Sequence, residues 1–215
     1  WKKHTVDIID TAGDDNFLTD TKGSLKAADG VVVVIDATAG VKVGTEKVWG
    51  FADEEGLPRM IFVNRMDRER ADFDGVVEQI NRSFEKNATP VFLPIGAEDR
   101  FRGVVDLIRM KAYVYEKDGS GGVKEEEPPA DMADAIEELR EKVIENIVEA
   151  NDDLMEKYLE GEEISPQEIE ETFIQGVKNG SVVPILCGSA VLNMGVDQVL
   201  NLITQAMPSP LERGP

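Results

Sequence analysis

The sequence predicts an α/β protein: a mostly parallel sheet wound with helices and interrupted by an acidic α+β insert. Three observations predict it. Short Val- and Ile-rich runs alternate with amphipathic stretches over the first hundred positions. The same alternation returns after position 180. Between them lies a stretch of different composition, polar and strongly acidic. Strand–helix–strand repeats give parallel strands joined by right-handed crossovers. At 215 residues the chain is long enough for one large domain, or a domain with a substantial insert.

The apolar runs "TVDII" (5–9), "GVVVVID" (30–36), "MIFVN" (60–64) and "PVFLPI" (90–95) read as strands buried on both faces. Helices are predicted near 19–28, 44–56 and 72–87; in the last, Phe73, Val76, Val77, Ile80 and Phe84 fall on one face. "GVVDLIRMKAYVY" (103–115) reads as one or two strands, and 116–129 as a Gly- and Pro-rich loop or hairpin tip. From Asp131 to about Leu159 a single apolar stripe through Met132, Ile136, Leu139, Val143, Ile147 and Leu154 predicts helix. "SPQE" (165–168) reads as a capping box, with Ser165 as N-cap, Pro166 at the first helical position and Glu168 reaching back. That helix should end at Asn179–Gly180. "VVPILC" (182–187) is a further buried strand, and Val196 to Met207 a last helix stopped by "PSP" (208–210). The organisation expected is 1–99 in the sheet domain, 100–178 as insert and 179–215 as the returning part of the sheet domain.

The formal charge of −20 is concentrated. Positions 116–171 hold 21 acidic and five basic residues. Such a block excludes nonspecific binding of the insert to phosphate backbones, which needs Lys and Arg. It suits either a solvated face or a basic protein partner. No run approaches the ~20 apolar residues of a membrane-spanning helix. One cysteine, Cys187, allows no disulfide within the chain, and the composition suits a reducing, cytoplasmic setting.

In a parallel α/β sheet, ligands bind outside the carboxyl ends of the strands. Four predicted ends carry small or polar residues: "DTAGD" (10–14), "DATAG" (36–40), "NRMD" (64–67) and "CGSA" (187–190). Singly each is a turn or a cap. As an ordered set, D-x-x-G, then N-[basic]-x-D, then S-A, they resemble the GTPase superfamily. "WKKHTVDIIDTAGDDNF", "AADGVVVVIDATAGV", "TEKVW", "FVNRMDR", "GVVDLIRMKAYVY" and "VVPILCGSAVLNMGVDQVLNLI…PSP" extend the resemblance to elongation factor G over essentially the whole chain, including an insert between the N-[basic]-x-D and S-A loops.

The resemblance implies a P-loop GTPase-type sheet and a translation factor that binds GTP or GDP with Mg²⁺. Such a factor hydrolyses GTP on the ribosome during translocation or recycling. Ribosome-protection and release-type GTPases are its nearest alternatives. It implies that Asp10 lies near Mg²⁺ through a water, with Thr11 and Ala12 in the loop beside it. Gly13 would offer its N–H to the γ-phosphate. Asn64, Arg65, Met66 and Asp67 would form the guanine-reading loop, and Ser189 and Ala190 would close over the base edge. The acidic insert would face ribosomal stalk proteins.

Three departures qualify this. No G-x-x-x-x-G-K-[ST] occurs in the sequence, so the phosphate cradle is expected on a segment before Trp1, and these 215 residues alone should bind nucleotide negligibly. Position 12 is Ala where the family has Pro, and position 14 is Asp where it has the His that orients the attacking water. Asp14 therefore implies altered or slower hydrolysis, even an interaction module that binds without turning over, unless it caps the following helix or faces solvent. Position 65 is Arg where the family has Lys. His4 and Trp49 are read as surface and packing residues, and Cys187 as a small core residue.

Overall fold

The computed structural model describes residues 1–84 and 88–213. The helices are α1 (Leu18–Leu25), α2 (Val43–Glu54), α3 (Phe73–Ser83), α4 (Ala133–Val148), α5 (Asp152–Glu160), α6 (Pro166–Asn179), α7 (Val196–Ala206) and α8 (Pro210–Arg213). The strands are β1 (Val31–Asp36), β2 (Arg59–Asn64), β3 (Ala88–Pro90), β4 (Phe92–Ile95), β5 (Gly103–Asp106), β6 (Lys111–Tyr115), β7 (Val123–Glu126) and β8 (Val183–Cys187). The first sheet is wholly parallel, in the order β1-β2-β8-β3. The second is wholly antiparallel, β4-β5-β6-β7.

The central strands β2 and β8 are apolar runs because helices cover both their faces; every residue of β8 is buried. One continuous core joins the two sheets. It contains Ile61, Val63, Ile185 and Leu186 from the first, Phe92, Val105 and Ala112 from the second, and Ile136, Val143, Ile147, Ile169 and Phe173 from α4 and α6. A smaller cluster of Leu25, Ala52 and Leu57 seats α1 on α2.

The start of β2 carries a buried arginine. Arg59 is 1% exposed, donates to Asp53 Oδ1 (2.8 Å), Trp49 O (3.2 Å) and Leu57 O, and lies 4.6 Å over the Trp49 ring. Trp49 in turn stacks on Phe84 with ring centroids 4.0 Å apart. The packing role expected of Trp49 is what the structure shows.

Local signals were decisive for α6. Ser165 accepts from Glu168 N–H, Glu168 accepts from Ser165 N–H, Pro166 opens the helix, and Gly180 closes it at φ 78°.

Elsewhere the outcome differs from expectation. Residues 5–9 form no strand, and Ile8 and Ile9 are 77% and 51% exposed. Their β-type composition cannot make a strand without a neighbouring ladder, and none of the described strands lies beside them. The outer edge of β1 is likewise unpaired among the described residues. "PVFLPI" is two strands: Pro90 ends β3 in the parallel sheet, and Phe92 begins β4 in the antiparallel one. The long helix predicted over 131–159 breaks into α4 and α5. Asn151 adopts an extended backbone (φ −144°), and its side chain accepts from Leu154 N–H, which starts a new helix. The hairpin tip at 116–129 contains β7. α3 ends at Ser83, and the last three positions of the helix predicted there, 85–87, lie outside the described residues.

Candidate nucleotide site

Three of the four predicted strand ends meet. β1, β2 and β8 are parallel neighbours, with Asp36 level with Asn64 and Val63 level with Cys187. Their exit loops are therefore adjacent at the carboxyl edge of the sheet. Asn64 ties them together. Its Oδ1 accepts from the Ala190 N–H at 3.0 Å and from the Arg65 N–H at 2.7 Å, while its backbone O accepts from Ala37 N–H at 2.9 Å. Met66, 1% exposed, donates its N–H to Gly188 O at 3.1 Å.

The loop after β8 is built by glycines and one serine. A Cβ on Gly188 would lie 2.3 Å from Met194 O and 2.8 Å from the Phe62 ring, so only glycine lets the loop fold back so tightly. Ser189 is fully buried. It exchanges two backbone bonds with Met194, and its Oγ accepts from Leu192 N–H at 3.2 Å. Ser189 shapes the loop from within, whereas Ala190 is exposed and its N–H is engaged by Asn64.

Asp67 is the distinctive group. Its side chain is only 16% exposed, and Oδ1 is buried with no hydrogen-bond partner. The other oxygen has a loose ion pair with Arg68 Nε at 3.8 Å. A buried carboxylate oxygen without a donor is costly. The carboxylate therefore keeps acceptor capacity that no protein group uses. A guanine edge offers two parallel N–H donors, N1–H and the 2-amino group, which adenine does not. The residues present therefore fit a guanine base.

Arg65, at φ 67°, turns its guanidinium across the strand ends to Asp36 Oδ2 at 2.7 Å. Asp36 Oδ1 accepts from Thr38 N–H and Oγ1, each at 2.8 Å. Partial burial alone would raise the Asp36 carboxyl, but the Thr38 hydrogen bonds and the Arg65 guanidinium outweigh it and hold it below the usual carboxylate range. Asp36 was visible in the sequence only as a strand-end residue. Glu98, which touches this loop from the turn between β4 and β5, carried no sequence signal at all, because its role depends on a contact across 28 positions.

The "DTAGD" stretch does not join this cluster through any contact the structure records. Asp10, Thr11, Ala12 and Gly13 are exposed and make no hydrogen bond among the described residues. Asp14 caps the short helical turn Asp15–Phe17, with Oδ1 accepting from Asn16 N–H at 2.9 Å and from Asn16 Nδ2 at 2.7 Å. Asp15 reaches Lys47 at 3.6 Å. Among the described residues, no three His, Cys, Asp or Glu side chains converge on a metal position. Cys187 is buried behind the site, where burial pushes its thiol well up, and His4 is exposed.

The family model of the elongation factor Tu GTP-binding domain matches residues 1–209. The chain belongs to that family. It carries the GTP-binding domain of a translational GTPase of the elongation factor G and Tu type, a family that binds GTP and GDP. A crystal structure of a Thermus thermophilus protein is similar, at 36% identity and a TM-score of 0.84, over 93% of this chain. The chain spans 30% of that protein's length. No helix among the described residues is long and apolar enough to cross a membrane.

Proposed function

We propose that this domain reads guanine nucleotides in a translation factor of the elongation factor G type, which hydrolyses GTP on the ribosome. The observation that carries the proposal is the meeting of the loops after β2 and β8, tied by Asn64 Oδ1 accepting from Ala190 N–H, with the Asp67 carboxylate on the same loop keeping acceptor capacity that no protein group uses. In this reading Asp67 accepts from N1–H and the 2-amino group of guanine, and the Arg65 stem lies along the base. Ser189 keeps Ala190 at the base edge. A bound Mg²⁺ would supply charge neutralisation at the phosphates, with Asp10 near it through a water and Gly13 beside the γ-phosphate. Thr11 and Ala12 belong to the same switch loop.

Asp14 bears on turnover. An anion capping Asn16 is poorly suited to orient an attacking water beside a triphosphate, so hydrolysis is proposed to be slow relative to a factor with histidine there. The second reading, a ribosome-binding module that holds GTP without efficient turnover, rests on that same residue. Residues 100–178, which hold β5 to β7, α4, α5 and nearly all of α6, are proposed as an inserted subdomain whose acidic face meets a basic ribosomal protein, with 1–99 and 179–215 as the sheet domain; β4, at Phe92–Ile95, ties the insert's antiparallel sheet to the preceding segment. A cytoplasmic setting goes with that role.

The test is nucleotide binding and hydrolysis by the full-length protein that carries this chain. Preference for GDP over ADP, with hydrolysis stimulated by ribosomes, supports the first reading. Guanine-selective binding without stimulation supports the module. Equal affinity for GDP and ADP removes both.

A further inference from the structure

We propose that Glu98, in the turn between β4 and β5, is a positioning residue for guanine recognition: it clamps the loop after β2 so that the Asp67 carboxylate faces the base. The inference rests on the guanine reading given above. Glu98 makes two contacts to that loop, four positions apart. Its N–H donates to Met66 O at 2.9 Å, and its carboxylate accepts from Arg70 N–H at 2.7 Å. The Met66 carbonyl lies in the same rigid peptide plane as the Asp67 nitrogen. With Met66 N–H held by Gly188 and Met66 O held by Glu98, the direction in which the chain enters Asp67 is fixed from both sides.

The backbone supports this. Arg65, Arg70 and Glu98 have φ of 67°, 67° and 56°, left-handed values that bulky residues hold only where their surroundings over-determine them. The clamp itself is rigidly mounted. Gly96 turns at φ 77°, where a Cβ would lie 2.4 Å from Arg100 O. Phe101, 1% exposed, anchors the turn in the core and donates its N–H to Glu98 O at 3.0 Å. Lys117, following β6, donates to Asp99 O. The second sheet thus reaches the base-reading loop through Glu98, and its attachment there is polar, directional and charge-assisted.

The experiment compares GDP with inosine diphosphate, which lacks the 2-amino group, on the full-length protein and its Glu98→Ala and Glu98→Gln variants. Glu98→Ala keeps the backbone bond to Met66 O and removes the carboxylate's bond to Arg70 N–H, which frees the far end of the loop and predicts a roughly tenfold fall in GDP affinity. Affinity for inosine diphosphate falls much less, so the preference between the two narrows. Glu98→Gln keeps an acceptor for Arg70 N–H and retains the wild-type preference. Glu98→Asp, too short to reach Arg70, narrows it as alanine does and replaces the alanine variant if that one fails to fold. An equal fall for both nucleotides, or an unchanged ratio, overturns the clamp. A wild-type protein that fails to prefer GDP over ADP instead overturns the guanine reading beneath it.

Discussion

Replacing Asp67 by asparagine tests the base-reading loop most directly. The side chain is nearly dry and its Oδ1 has no donor in the protein, so hydrogen bonds formed there face little competition from water. Two bonds to a charged acceptor, each contributing about 1.5–3 kcal/mol, predict a GDP affinity loss of roughly 10²–10⁴-fold on Asp67→Asn. The loss arises because the asparagine amide points a donor at a donor. The same amide complements xanthine, whose 2-oxo group accepts where guanine donates. The variant should therefore bind xanthosine diphosphate better than GDP. Competition titrations on the full-length protein read both effects. GDP affinity within about threefold of wild type, or no gain for xanthosine diphosphate, would refute the reasoning, because the orphaned oxygen would then not face the base.

Three other outcomes follow from the same structure. Asp14→His should raise ribosome-stimulated GTP hydrolysis by at least about tenfold, within the range of a positioned acid–base group; an unchanged rate means that Asp14 does not limit turnover. Lys157, with Ser165 N–H and Oγ, holds the Glu168 carboxyl down to about 2 from 4.5. Its contribution to stability is therefore present above pH ~4.5 and lost as pH falls toward 2, and the stability gap between wild type and Glu168→Gln in urea titrations should shrink over that window. The isolated 215 residues, which contain no phosphate-cradle motif, should show no GDP binding at micromolar concentration by calorimetry, and a micromolar constant would contradict the expectation.

Much of the site was legible because its parts are local. Asn64, Asp67 and Ser189 stand at the ends of apolar runs, and a strand end followed by a polar turn is readable without the fold. The Asn64-to-Ala190 bond, by contrast, spans 126 positions, and Glu98 reaches Arg70 across 28. No periodicity or cap encodes such a pairing. The two exits of "DTAGD" and "NRMD" looked equivalent in sequence, yet only the second lies in the assembled cluster, because its strand has partners on both sides.

The sequence by itself determined the pieces whose energetics are local. Ser165, Pro166, Glu168 and Gly180 satisfy the helix ends from neighbouring residues, and the Val- and Ile-rich runs of β1, β2 and β8 are too apolar to stay in water. Tertiary structure decided what depends on a neighbour: that 5–9 stays unpaired, that "PVFLPI" divides between two sheets, that Asn151 starts a second helix, and that Asp67 keeps an oxygen without a partner. The physical reason is the same in each case. Strand ladders, buried polar satisfaction and loop clamps are contacts between distant segments, and their free energy appears only when the fold brings both partners together.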